Sequence, residues 1–114
     1  MPAKFIISKS EGGEYSFALK AENGETILAS QMYTRASSAR EGIDAVRSSA
    51  LRDEMFERLT SVRGEPYFTL KSSNGQVIGT SEMYATTRSR DSGIESVRRN
   101  APSASLEDDG ATRP

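Results

Sequence analysis

Tyr15, Phe17 and Leu19 alternate with Ser16, Ala18 and Lys20, the period-two pattern of a strand that buries one face. Fifty-one residues later Phe68 and Leu70 repeat the pattern, with Pro66 in place of Tyr15. Proline cannot donate to a ladder, so this second strand is predicted to begin at Pro66. "FIISKS" and "MFERLTS" read as further extended segments suited to a sheet edge, the second with Glu57 and Arg58 where the first has Ile6 and Ile7. Asn23-Gly24 and Asn74-Gly75 mark hairpin turns. A two-residue loop would pair Leu19 with Leu28 and Leu70 with Gly79. A three-residue loop, a type I turn with glycine at a bulge, pairs Leu19 with Ile27, Leu70 with Ile78 and Phe17 with Ala29. It keeps the repeated isoleucines on the apolar face, and a one-residue slip would turn every side chain over, so the three-residue register is the expectation.

After Tyr33, residues Ala36, Ala39, Ile43, Val46 and Ala50 recur at steps of three and four, the stripe of an amphipathic helix. Thr34 and Ser38 are candidate caps, and Ser38-x-x-Glu41 fits a capping box. A second helix after Tyr84 keeps Ile94, Val97 and Ala101, and Pro102 stops it. Gly42 and Gly93 fall mid-helix, where glycine costs about 1 kcal/mol relative to alanine. That cost in both helices points to close packing of the backbone on the sheet or on the other helix.

Sliding the chain by 51 residues aligns Phe5–Ala50 with Phe56–Ala101 without a gap, and 19 of the 46 pairs are identical. The chain is a tandem duplication. A solenoid needs at least three repeats, so two copies imply a closed pair. The predicted fold is α+β: repeats 4–50 and 55–101, each three strands and a helix, in one pseudo-two-fold domain over 1–101 with the helices on one side. Linker Leu51–Glu54 is too short to free the halves. Residues 102–114 have no apolar period and are rich in small and acidic residues, the composition of a disordered tail.

Composition removes several chemistries. With neither Cys nor His, the chain lacks thiolate nucleophiles and the commonest general base and metal ligand. Residues 4–50 balance six Lys/Arg against six Asp/Glu, residues 55–101 carry seven against five, and the rest is acidic. No like-charged block forms a nucleic-acid arm. No apolar run approaches a membrane span or a signal-peptide core, so a cytoplasmic protein is expected.

The pattern "GEYSFALKAENGETILAS", its counterpart "GEPYFTLKSSNGQVIGTSEMY" and the helical "SGIESVRRNAP" resemble the YegP family of small bacterial tandem-repeat proteins of unknown function. The resemblance spans Lys4 to Pro102. It implies that the two repeats pair like a fused dimer, and it supplies no catalytic residues. This chain departs in having Tyr15 and Phe17 where relatives often place tryptophan, which speaks against an indole-dependent site.

The functional expectation is a non-enzymatic structural or protein-interaction module without cofactor or metal, a monomer with an internal pseudo-dimer or a homodimer. Its candidate surface comprises polar residues kept in both halves: Lys20 and Lys71, Tyr33 and Tyr84, Arg47 and Arg98, with Arg99 beside them, and the serines Ser30 and Ser81. The alternative is a nucleic-acid-binding module using Arg88, Arg90, Arg98 and Arg99 of the second helix with nearby aromatic rings. Asp91 and Glu95 interleave those arginines, and the sequence pI is about 5.5, far from the basic signature of such modules. An enzyme or metabolite sensor would fall to carboxylates such as Glu14 and Glu65.

Overall fold

The computed structural model describes residues 3–108. Strands β1 (Lys4–Lys9), β2 (Tyr15–Lys20) and β3 (Thr26–Ala29) lead into helix α1 (Ala36–Ser49). After a 3-10 turn at Asp53–Met55, β4 (Phe56–Thr60), β5 (Pro66–Lys71) and β6 (Val77–Thr80) lead into α2 (Thr87–Asn100), and β7 (Ser105–Asp108) follows. All seven strands form one sheet in the order β4-β5-β6-β3-β2-β1-β7. β1 with β7 is parallel; the other pairings are antiparallel. The halves meet where β3 and β6 pair through Ala29 and Thr80, so a pseudo-two-fold axis passes between these strands.

The turns carry the three-residue loops expected of the Asn-Gly pairs. Gly24 N–H donates to Ala21 O, Ala21 N–H donates to Glu25 O, and Gly24 takes φ +86°, a value that glycine adopts at no steric cost. Asn23 accepts from Glu25 N–H through its side chain. Beyond the turn, however, the register differs from expectation. Lys20 faces Thr26, but a second bulge follows and Leu19 faces Leu28, as Leu70 faces Gly79. Two residues on the bulged strand oppose one on its neighbour, so Ile27 and Leu28 are both buried opposite Leu19. Leu70 facing Gly79 sets the leucine opposite a residue that offers no side chain. The structure supplies one from the other repeat: Leu28 lies so close over Gly79 that a Cβ there would stand 2.6 Å from Leu28 Cγ.

Both helices cover the face that carries Phe5, Phe17, Leu19, Phe56, Phe68 and Leu70, and Ile43, Val46, Ile94 and Val97 close the core from above. α1 contacts its own β2 and also β5 and β6 of the other half, whereas α2 contacts β5 and crosses to β3. Neither half has a core of its own, which is why a chain of this size folds as one unit. The helix starts differ from the expected caps. Arg35 stands at the N-cap of α1 without a side-chain bond, so neither Thr34 nor Ser38 caps it and the Ser38–Glu41 box does not form. In α2 the matching residue is Thr86, whose hydroxyl accepts from Ser89 N–H at 3.0 Å. The strand-to-helix corner sets the start three residues past each tyrosine, and only the second copy has a capping residue at that place.

Residues 102–108, expected to be disordered, are ordered instead. Ala104 is buried, and Ser105–Asp108 pair with Lys4–Ile7; the acidic composition is accommodated by an edge strand whose Glu107 meets Lys4 at 3.4 Å. Residues 109–114 of the expected tail lie outside the described residues. Consequently β1 is flanked on both sides, while β4, its counterpart, forms an open edge.

The sheet face opposite the helices carries Lys4, Ile6, Ala18, Lys20, Ala29, Thr80, Thr69, Tyr67, Lys71, Glu57 and Leu59, as the alternation and register require. Within it Thr69 is 93% buried, and its hydroxyl has no hydrogen-bond partner among the described residues. An unsatisfied buried hydroxyl costs about 1–3 kcal/mol. Thr69→Val, at a position that is alanine in the other half, is therefore expected to raise the urea unfolding midpoint, corresponding to about 1 kcal/mol. An unchanged or lower midpoint would show that the hydroxyl is solvated.

Candidate interaction surface

Tyr33 and Tyr84 form the corners between strand and helix. Tyr33 exchanges two backbone bonds with Tyr15, at 2.7 and 2.6 Å. In the second half Tyr84 N–H donates to Pro66 O, and the reciprocal bond is missing because proline has no N–H. Each ring stacks on a core phenylalanine, with centroids 6.3 Å apart in both halves. Each hydroxyl end points at a helix glycine, Gly42 or Gly93. Burial raises both phenol pKa values above the ordinary 10.0, and the carboxylates of Glu82 and Glu25 push Tyr84 up further. The phenols are thus neutral packing elements at ordinary pH.

Ser30 and Ser81 complete the same corners. Each hydroxyl accepts from the N–H of Phe17 or Phe68 at 2.9 Å and donates to the next carbonyl, that of Gln31 or Glu82. The serine side chain thereby stands in for a backbone acceptor where the strand leaves the ladder. Gln31–Met32 and Glu82–Met83 then bulge outward before the tyrosines rejoin, leaving Met32 and Met83 about half exposed.

The arginines are held locally. The guanidinium of Arg47 stacks over the Phe5 ring at 5.1 Å. Arg98 meets both Glu95, as the helical spacing predicts, and Asp53, each at 3.4 Å. Asp53 and Asp91 flank Arg58, and Asp91 also pairs Arg90, whose side chain is only 12% exposed. A continuous run of alternating charges, Arg90–Asp91–Arg58–Asp53–Arg98–Glu95, therefore ties β4 and the 3-10 turn to α2. Two of the four arginines of the nucleic-acid alternative are engaged in this run. Arg88 and Arg99 make no ion pair among the described residues and line the outer face of α2 with Ser92 and Glu95.

Lys20 and Lys71 lie on the bare sheet face, one in each half. Lys71 pairs with Glu57 at 3.2 Å. The residue matching Glu57 in the first half is Ile6, so Lys20 has no such partner there; it stands opposite Lys4 over a shallow hollow lined by Ile6 and the Ala21–Gly24 turn. The nine candidate residues thus do not converge on one site. The tyrosines, the serines and Arg47 support the fold, Arg98 belongs to the charge run, Arg99 is exposed on α2, and only the lysines share the bare face. Residues that the duplication argument passed over, Ile6, Ala18, Leu59 and Tyr67, are half-buried there with no helix above them. Their signal was present in the sequence as apolar residues on the nominally polar side of each strand.

Among the described residues no cluster of three Asp, Glu, His or Cys side chains could hold a metal ion, and no helix is long and apolar enough to cross a membrane.

Two consecutive matches to a domain of unknown function, DUF1508, cover residues 10–57 and 61–108. The chain is 47% identical to the UPF0339 protein YegP of Escherichia coli K12 over 108 residues, covering 95% of this chain and 98% of that one. It is 48% identical to a UPF0339 protein of Bordetella pertussis over 104 residues, covering 91% and 94%. The solution NMR structure of the E. coli yegP protein, described as of unknown function, superposes with a TM-score of 0.90 over 96% of this chain and 94% of that one, at 47% identity. That of a UPF0339 protein from Shewanella oneidensis gives 0.89 over 95% and 92%, at 40% identity.

Proposed function

The chain belongs to the UPF0339 family of DUF1508 repeat proteins, and from that premise we propose that it is a non-enzymatic protein-interaction module of the cytoplasm whose working surface is the bare sheet face. The observation that carries this reading is the asymmetry of the sheet's two faces. One is sealed by both helices, while the other presents Ile6, Ala18, Leu59 and Tyr67 half-buried among Lys4, Lys20, Lys71 and Glu57. An apolar strip rimmed by opposite charges is the composition of a transient protein contact. The repeated tyrosines, serines and Arg47 are spent on the fold, which leaves Lys20 and Lys71 as the duplicated residues that face a partner.

The test is photo-crosslinking in a bacterial host, with the crosslinker placed at Ala18 on the bare face or at Arg88 on α2. A discrete protein adduct at Ala18, lost with Tyr67→Ser, is expected. Adducts to RNA at Arg88, with none at Ala18, would overturn the reading in favour of nucleic-acid binding.

A further inference from the structure

The two repeat matches have the same length and begin just before β2 and β5. Each therefore contains two strands, a helix and part or all of a closing strand, the first two residues of β4 in one case and the whole of β7 in the other. β4 lies directly against β5, the first strand of the other unit. By the pseudo-two-fold, β7 would lie directly against β2, but β1 occupies that place and β7 is displaced one position outward. β7 is thus a surplus strand on an edge made by β1.

The two edges differ chemically. β4 carries Glu57 and Arg58 in mid-strand, both in ion pairs, and charged residues in an edge strand deter pairing. β1 carries Ile6 and Ile7 at the same places, with Lys4 before and Lys9 after. It is an apolar edge with basic flanks, and it is occupied by the acidic sequence Ser105-Leu106-Glu107-Asp108 in parallel register, Leu106 beside Phe5 and Glu107 beside Ile6. The occupant is lightly held. It pairs over four residues where β2 pairs over six, its entry bond from Ser105 N–H to Ala3 O is 3.3 Å long, Leu106 is 43% exposed, and the Lys4–Glu107 contact is at the surface. Exposed ion pairs of this kind contribute at most about 1 kcal/mol.

We propose that the outer edge of β1 is a strand-binding site for an extended acidic segment of a partner protein, an aliphatic residue followed by carboxylates, and that β7 is its built-in, exchangeable occupant. Backbone bonds along β1 supply the affinity, Lys4 selects the carboxylate, and β7 sets the threshold a partner must exceed. This inference rests on the interaction-module reading and specifies a second contact, adjoining the bare face through Lys4 and Ile6.

The full chain is titrated with a fluorescent peptide of the sequence Pro102–Asp108, in wild type and in Ser105→Pro, which removes the N–H bonded to Ala3. Ser105→Pro is expected to bind the peptide at least about tenfold more tightly than wild type, because the internal competitor is weakened. Adding Lys4→Glu is expected to reduce that binding about fivefold. NMR shifts on peptide addition should fall on Lys4–Ile7. Equal binding by wild type and Ser105→Pro, insensitivity to Lys4→Glu, or shifts confined elsewhere would overturn the proposal. Should Ser105→Pro fail to fold, the wild type decides: millimolar peptide must release β7, read as a new Leu106 methyl signal, and its absence refutes exchange. Loss of this binding with Ala18 crosslinks retained removes the strand site alone; loss of both removes the interaction reading as well.

Discussion

Gly93→Ala is expected to lower the melting temperature by roughly 10 °C, although alanine is the better helix former by about 1 kcal/mol. A Cβ at Gly93 would meet Tyr84 Cζ at 2.7 Å, with the hydroxyl oxygen nearer still, and Phe68 Cε2 at 3.2 Å. At Gly42 the same atom would meet Tyr33 Oη at 2.6 Å and Phe17 Cε2 at 2.9 Å. These rings cannot simply swing aside. Each is stacked on its phenylalanine and fixed at the backbone by a strand bond, so relief requires either lifting the helix or expelling the tyrosine. Overpacking of this kind costs about 1–3 kcal/mol and occasionally more, which exceeds the propensity gain. The tighter site, Gly93, should suffer more than Gly42. Combining Gly93→Ala with Tyr84→Phe removes the nearest atom and should recover part of the loss, a coupling that a double-mutant cycle measures. A raised melting temperature for either glycine variant would show that the tyrosine corners yield easily and do not clamp the helices.

Ser81→Ala is expected to destabilise the protein by about 2 kcal/mol. Ser81 is 93% buried, and its hydroxyl is the acceptor for Phe68 N–H, which points away from β4 and has no other partner among the described residues. Alanine leaves the N–H stranded and frees the Glu82 carbonyl that the hydroxyl served. Ser30→Ala removes the same pair of bonds in the first half, but Ser30 is less deeply buried, so water can replace part of the loss and the effect should be smaller. Amide exchange provides the specific readout: the Phe68 amide should lose protection in Ser81→Ala more than its neighbours in β5. Uniform loss across the sheet, or no change in unfolding midpoint, would contradict the role assigned to the serine.

Both predictions concern residues that the duplication marked as shared: the glycine pattern pointed to close packing without naming what packs there, and the serines carried no stated role. For Tyr33, Tyr84, Ser30, Ser81, Gly42 and Gly93, identity between repeats records one structural device used twice: a strand-to-helix corner locked by a hydroxyl and a ring against a glycine. Lys20 and Lys71 are different. They share a place in the fold but differ in surroundings, since Ile6 stands where Glu57 pairs with Lys71. The bare face is therefore chemically lopsided, and the half bearing Ile6 and Lys4 is also the half whose edge pairs with β7.

The sequence by itself determined the duplication, the strand and helix identities, the three-residue turns and the glycine packing, because these depend on periodicity and on local backbone preferences repeated at a fixed offset. It did not determine the register past the turn, since Gly79 is filled by Leu28 from across the pseudo-two-fold and no pattern within one hairpin can report a neighbour in the other. Nor did it reveal β7. Ser105–Asp108 have no apolar alternation, and they become a strand only because β1 presents an unpaired apolar edge with a lysine at its start. Only the tertiary structure showed which edge is covered: the segment after α2 reaches β1, whereas the matching segment after α1 is already used as β4, a placement set by where the helix ends lie over the sheet and not by any local pattern.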